Sequence, residues 1–350
     1  MRVNRTHAFR LILALLAGLG GIACAPAGAA DDKQPVTIQF TLDRPIDAVA
    51  APFVMAQANG LFSGEGLAVT IGAATSSLDA IARVMAGTSD LALVDINTLV
   101  RHRDKEKADS PHAKAVFVLF NRAAYSIIAR KSRGIRSLAE LDGKSLGVVE
   151  ADPAARFWPA VAKLNGIKLA SIKQSVISAA VREPMLSAGQ VDAVTGSSYL
   201  SAINLRDRGV PADDLVLLKF ADYGSEAYGY AVIVNPAFAA AKPEAVKGFV
   251  RAVIGGLHLA VKEPARAIEQ VMNRMEGGSR DIERERLSAI LRDNILTAEV
   301  RRNGLGGIDV ARFEKSIDQI AEDHKFKKRP TAADMFDDSY LPPLNGRLIN

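Results

Sequence analysis

The chain has 350 residues, 49% of them hydrophobic and 6% aromatic, with charges of both signs and a formal net charge of +5. That composition excludes a disordered chain, and the length is enough for two domains, each with its own core. Without the three arginines of the first ten residues, 41 basic residues face 39 acidic ones, which is no nucleic-acid signature.

The N-terminus has the pattern of a secretory signal. MRVNRTHAFR carries Arg2, Arg5 and Arg10 and no acid, LILALLAGLGGIACA is apolar, and PAGAADD offers small residues before Asp31. The apolar run is too short and too glycine-rich for a comfortable membrane span. The pattern predicts a signal peptide over residues 1–30, cleaved near Ala29 or Ala30, and export to the periplasm. Cys24 is the only cysteine. Lipid attachment there is disfavoured, because GIAC has glycine where a lipoprotein signal carries leucine. A mature chain without cysteine has no disulfide and no thiolate chemistry.

From Val36 strands and helices alternate. VTIQFTL is predicted as a strand, and residues 47–59 as a helix capped by Asp47, with Pro52 blurring its start. In AQANGLFSGEGLAVTI (56–71), Gly60 suits a left-handed helix stop, Leu61 and Phe62 fold back as scaffold, and LAVTI resumes a strand. Residues 76–87 form a helix capped by Ser76 or Ser77 and stopped by Gly87. DLALVDI is a strand, a helix follows from about Thr98, and 115–120 and 125–131 are strands. The same logic then repeats: SLGVVE, SIKQSVI, DAVTG, DLVLLKF and GYAVIVN are strands, separated by helices over FWPAVAKLNGI, EPMLSAG and LSAINLRDRGV. MAGTSDLALVDI and LSAGQVDAVTG are alike, each a helix end, a glycine stop, an aspartate and an apolar strand. Alternation of this kind implies mainly parallel sheets covered by helices. From Pro236 the chain is predominantly helical, and its tail DMFDDSYLPPLNGRLIN is mostly loop.

Five segments resemble one known family. FVMAQANGLFSGEGLAVTI, MAGTSDLALVD, SLAELDGKSLGVV, LSAGQVDAVTG and NPAFAAAKPEAVKGFVRAVIGGLHLAVKEPARA follow the order seen in periplasmic substrate-binding proteins of the nitrate, sulfonate, taurine and thiamine-pyrimidine-precursor group. The resemblance implies an α/β type II periplasmic-binding-protein fold: two α/β lobes joined by a two-strand hinge, a ligand cleft, and C-terminal helices. The expected division is lobe one over 31–124, lobe two over 125–233, and the rest of lobe one with the C-terminal helices over 234–350. Thiamine-precursor binders carry a WxPN-like stretch and a histidine after the first strand. LDRPIDAVAAPF lacks them, which counts against a pyrimidine ligand.

In open α/β sheets ligands sit beyond the carboxyl ends of strands. That rule selects Arg44, Asp47, Ser76, Ser77, Asp95 and Asn97 in lobe one and Asn121 at the crossing. In lobe two it selects Asp152, Arg156, Trp158, Thr195, Ser197, Tyr199, Tyr223 and Tyr228. Arg44 and Arg156 offer bidentate forks for a carboxylate or sulfonate, and Trp158 a stacking plane, although packing of its helix on the sheet suits Trp158 slightly better. Ser76 and Ser77 fit N-capping as well as ligand binding. The implied function is capture of a small polar organic ligand (sulfonate, carboxylate or zwitterion-like) by a monomeric solute-binding protein. It would deliver that ligand to an ABC permease in the inner membrane, with no cofactor and no nucleic acid. A ligand sensor for a membrane receptor is the alternative. An enzyme of thiamine-pyrimidine type is the weaker one, since no histidine falls in a predicted cleft loop and no nucleophile or metal motif is present.

Overall fold

A computed structural model describes residues 34–105 and 111–349. The signal-peptide pattern and Cys24 lie outside the described residues. The chain begins with β1 (Val36–Leu42), α1 (Ala51–Ala58), α2 (Leu61–Gly64), β2 (Leu67–Ala73), α3 (Ser77–Met85), β3 (Leu91–Asp95), α4 (Ile96–Arg103) and β4 (Lys114–Val118). It continues through β5 (Tyr125–Arg130), β6 (Ser145–Val148), α5 (Pro153–Leu164), β7 (Lys173–Val176), α6 (Arg182–Ser187), β8 (Ala193–Ser197), α7 (Ser201–Asp207) and β9 (Leu215–Lys219). It then returns through β10 (Tyr230–Val234) to α8 (Pro236–Ala241), α9 (Pro243–Lys262), α10 (Pro264–Met272), α11 (Arg280–Ile290), α12 (Ala298–Asn303), α13 (Val310–Ile320) and α14 (Ala332–Met335).

Two five-stranded sheets result, ordered β2-β1-β3-β10-β4 and β7-β6-β8-β5-β9. In the first, β1 runs parallel to β2 and β3, while β10 is antiparallel to β3 and β4. In the second, β6 runs parallel to β7 and β8, while β5 is antiparallel to β8 and β9. The antiparallel strand of each sheet is the one the chain enters on crossing from the other. The crossings run over residues 119–124 and 220–229. This is the type II topology, with two α/β halves and added C-terminal helices.

Local chemistry explains the elements near the first strand. Asp47 accepts from the Val49 amide at 2.9 Å and starts a 3-10 turn, Ala48–Ala50, so α1 proper begins only at Ala51 with Pro52 in its first turn. Gly60 stands at φ +68°, the left-handed geometry that a side chain resists. Leu61 and Phe62, expected to fold back as scaffold, pack against α9. Phe62 stacks on Phe249 of α9 with ring centroids 5.2 Å apart, and Leu61 lies against Gly255 of the same helix. Phe249 in turn meets Phe40 of β1 at 5.0 Å, and Phe40 meets Phe53 of α1 at 4.7 Å. The glycine-rich turn is therefore a wedge that docks α9 onto the first sheet. Each such buried phenylalanine contributes about 2 kcal/mol.

In the predominantly helical C-terminal region, α11 does not end as a regular α-helix. After α11 the backbone widens into a π-helical turn, Leu291–Ile295. No helix among the described residues is long and apolar enough to cross a membrane.

The approach of α1 to α9 is set by Gly256. A Cβ there would sit 2.0 Å from the Pro52 carbonyl oxygen and 2.9 Å from the Ala56 Cβ. Gly256→Ala must therefore separate the helices and should destabilise by about 3 kcal/mol in urea denaturation. Gly248→Ala meets only the Glu65 and Arg251 side chains, no closer than 3.2 Å, and should cost far less. Equal, small losses for the two variants would contradict this packing.

Candidate functional site

A cleft of about 370 Å³ opens where the carboxyl ends of both sheets face each other. Asp43 and Arg44 follow β1, Thr75–Ser77 follow β2, and Asp95 ends β3. Asp152 follows β6, Arg182 opens α6 after β7, and Ser197 ends β8. Phe120, Tyr125 and Tyr230 add aromatic walls. The size falls within the range for pockets that enclose a small organic molecule.

The first-sheet wall is a buried polar chain. The Ser77 hydroxyl donates to Asp43 Oδ2 at 2.6 Å and accepts from the Asp95 amide at 3.0 Å. Arg44 Nε donates to Asp43 Oδ1 at 2.9 Å, its Nη1 donates to the Tyr199 hydroxyl at 3.0 Å, and its guanidinium carbon lies 4.7 Å from the Tyr230 ring centroid. Asp95 Oδ1 accepts from the Thr98 amide at 2.9 Å, capping α4. Its Oδ2 accepts a short bond from the Tyr125 hydroxyl. Burial pushes the Asp95 carboxyl up to about 6, despite the bonds from Tyr125 and Thr98 that favour its charged form. Tyr125 is raised too, by burial and by the neighbouring Asp95 charge.

The second-sheet wall is organised by arginines. Arg182, a buried residue, donates from Nη1 to Asp152 Oδ2 at 2.7 Å and from Nε to Glu183 Oε1 at 3.0 Å. Asp152 also caps α5, accepting from the Ala154 amide at 2.9 Å. Arg156, one turn into α5, donates from Nε to the Glu150 carbonyl at 3.1 Å and has no carboxylate partner among the described residues. Asp43–Arg44 and Asp152–Arg182 are thus paired within their own walls. Asp95 on one side and Arg156 on the other lack an ionic partner.

Seven residues expected at a site line this cleft: Arg44, Ser76, Ser77, Asp95, Asp152, Arg156 and Ser197. The others are placed elsewhere. Trp158 is buried on the inner face of α5 against Phe220, with centroids 6.0 Å apart, so it offers no stacking plane. Thr195 is buried within β8, and Asp47 is occupied in capping. Tyr199 is buried and meets the site only through Arg44. Asn97 stands behind Tyr125, donating to its hydroxyl at 2.8 Å and to the Tyr228 carbonyl at 2.7 Å. Asn121 and Tyr228 belong to the crossings. Both donate to Glu299 of α12 at 2.8 Å, and the Arg312 guanidinium covers the Tyr228 ring at 4.1 Å. Tyr223 lies in a 3-10 turn after β9 whose carbonyl accepts from Asn165. Arg182, Phe120 and Tyr230 were not singled out. Arg182 stands beyond a 3-10 turn, Ala179–Val181, that follows β7, so the strand-end rule does not reach it.

None of the described histidines lines the cleft. Among the described residues no three His, Cys, Asp or Glu side chains cluster as metal ligands.

The family model described as NMT1/THI5 like matches residues 47–267. A formylaminopyrimidine-binding protein of Halalkalibacterium halodurans is 24% identical over 333 residues, 93% of this chain and 97% of that protein. A 4-amino-5-hydroxymethyl-2-methylpyrimidine phosphate synthase of Aspergillus parasiticus is 25% identical over 239 residues, 64% of this chain and 66% of that protein. The periplasmic aliphatic sulphonate binding protein SsuA of Escherichia coli superimposes with a TM-score of 0.66 at 13% identity, over 84% of this chain and 95% of its own. The alkanesulfonate-binding protein SsuA of Xanthomonas axonopodis pv. citri, bound to MOPS, gives 0.63 at 16% identity, over 87% and 99%. These likenesses show the fold.

The Asp95 carboxyl carries a pH signature. The folded protein holds this proton more tightly than the unfolded chain, where aspartate titrates near its ordinary value of about 4. Its contribution to stability is therefore intact below about pH 4 and is lost as pH rises through about 6. Urea titrations at successive pH values should show wild type losing stability relative to Asp95→Asn across that window. A difference that stays flat with pH would contradict the assignment.

Proposed function

Since the chain belongs to the NMT1/THI5-like family, we propose that it is the periplasmic solute-binding component of an ABC importer. It captures a small polar organic molecule between its two sheets and delivers it to an inner-membrane permease. The observation that carries this reading is the cleft itself, with an unpaired acid, Asp95, on one wall and an unpaired guanidinium, Arg156, on the other. A sulfonate or carboxylate end would meet Arg156. A donor or cationic end would meet Asp95. A ligand that touches both walls stabilises their approach, and the permease then recognises the approached halves. The same cleft would serve a sensor, and the two roles differ only in the membrane partner.

A second reading has its own support. Phe120, Tyr125 and Tyr230 border the cleft beside the Asp95 carboxyl, an arrangement that suits a flat aminopyrimidine. The name of the Halalkalibacterium halodurans relative favours it, and the missing WxPN-like stretch and histidine weigh against it.

A thermal-shift panel of sulfonates, carboxylates, amino acids and aminopyrimidines separates these readings. A ligand at a hundredfold excess over its dissociation constant stabilises by about 2.7 kcal/mol. The expected result is a saturable shift with a charged or zwitterionic compound that is recovered unchanged. Arg156→Ala should weaken it by about 2 kcal/mol. A shift confined to aminopyrimidines selects the second reading, and conversion of the hit to a product contradicts the binding role.

A further inference from the structure

The cleft between the sheets carries apolar side chains that the fold does not need there. Leu78 is the clearest case. The helix α3 buries Ser77, Ala80, Ile81 and Val84, and its outer face holds the Asp79–Arg83 ion pair. Leu78 lies off the buried face, 39% exposed, and lines the cleft. On the side of the second sheet, the 3-10 turn Ala179–Val181 buries none of its three apolar residues. Ala179 lines the cleft, and Val181 is 40% exposed. Building on the solute-binding reading above, we propose that the ligand is a monocarboxylate with an apolar body, its carboxylate held by Arg156 and its body lying along Leu78 and Ala179.

Three observations converge on that class. The first is the continuity of the apolar surface. Val149, Ala151, Pro153 and Leu200 line the same cleft as Leu78 and Ala179. Ala151 and Ala179 are exposed, and Val149, Pro153 and Leu200 are half-buried. Single apolar side chains on a surface need no explanation, but a set gathered in one concave site marks what that site binds. The second is the count of free charges. Arg44 is paired with Asp43, and Arg182 with Asp152 and Glu183. Among the described residues Arg156 has no carboxylate partner, and its Nε is taken by the Glu150 carbonyl. That leaves Nη1 and Nη2 side by side for the two oxygens of one carboxylate. One free guanidinium calls for one anionic group. The third is Asp95. Its Oδ1 already accepts from the amide and the hydroxyl of Thr98, its Oδ2 accepts from the Tyr125 hydroxyl, and the residue is 4% exposed. The site therefore does not require an ammonium group, and the surface left to the rest of the ligand is mostly apolar.

The consequence is selection by the body of the ligand as well as by its head. Burial of apolar surface favours binding by about fourfold for each methylene removed from water. A short hydrophilic acid gains nothing from Leu78 and Ala179, and a second charged group would have to lie on an apolar wall. A sulfonate carries a third oxygen for which the Arg156 fork has no donor.

Calorimetric titration of the full chain at neutral pH with acetate, butyrate, hexanoate and octanoate tests the proposal, with hexanesulfonate and glycine as comparison ligands. Affinity should rise along the series by about fourfold per methylene until the body fills the cleft. Glycine should bind at least about tenfold more weakly than hexanoate, and hexanesulfonate several-fold more weakly. Arg156→Ala should weaken every member of the series. Leu78→Ser, at an exposed side chain, should flatten the dependence on chain length. Val310→Ser, at an exposed apolar side chain of α13 outside the cleft, should change neither. Affinity independent of chain length would overturn the inference, as would a length dependence kept in Leu78→Ser or lost equally in Val310→Ser. So would glycine or hexanesulfonate binding as tightly as hexanoate, or no binding by any of the carboxylates. Each of these leaves the solute-binding reading to the thermal-shift panel, whereas conversion of a bound acid to a product contradicts that reading and the inference with it.

Discussion

The buried carboxyl of Asp95 is where the two halves of the molecule are tied. It ends β3, the central parallel strand of the first sheet, and its Oδ1 caps the helix that leaves it. Its Oδ2 holds the hydroxyl of Tyr125, the first residue of β5 in the second sheet. Two residues on, Asn97 holds that same hydroxyl and the carbonyl of Tyr228 on the return crossing. Both crossings are thus gathered at the end of one strand. Asp95, Asn97 and Tyr125 are buried, so these bonds are strong, and burial lets the Asp95 carboxyl hold its proton to a higher pH than usual.

The rest of the architecture braces that point. The C-terminal helices reach round both sides of the crossings. Arg312 of α13 donates to the Asn121 carbonyl at 2.8 Å and to Glu299 at 2.9 Å, while stacking on Tyr228. On the other side Asn294 accepts from the Arg122 amide at 3.0 Å and returns a bond to its carbonyl. The halves are also joined by Lys219–Asp293 and by Arg44 reaching Tyr199. A change in the angle between the halves must rearrange several of these polar contacts together, which favours discrete arrangements over gradual deformation.

Much of the fold was legible in the sequence because local rules and tertiary demands agree. Gly60 takes the left-handed turn that its position after AQAN calls for, and Ser76 caps α3 by accepting from the Asp79 amide at 3.2 Å. The strand-end rule selects loops that border the cleft, where Arg44, Ser76, Ser77, Asp95, Asp152, Arg156 and Ser197 are found. What the rule lacks is a direction for each side chain. Trp158 turns inward because it lies on the face of α5 that covers the second sheet. Asn97 and Tyr228 are second-layer supports whose partners are far away in sequence. Arg182 looks like the solvated start of a helix until Asp152, thirty residues earlier, folds against it. The π turn, Leu291–Ile295, closes α11 without a glycine or proline to mark it in the sequence.

The central claim is that one small molecule binds between the sheets and leaves unaltered. Equilibrium dialysis of the protein against a mixed metabolite extract, with mass spectrometry of both compartments, addresses it directly. The account predicts one compound enriched on the protein side at one per chain, chemically unchanged, and lost in Arg156→Ala. Depletion of a compound with a product appearing in its place, or enrichment indifferent to Arg156, would contradict it.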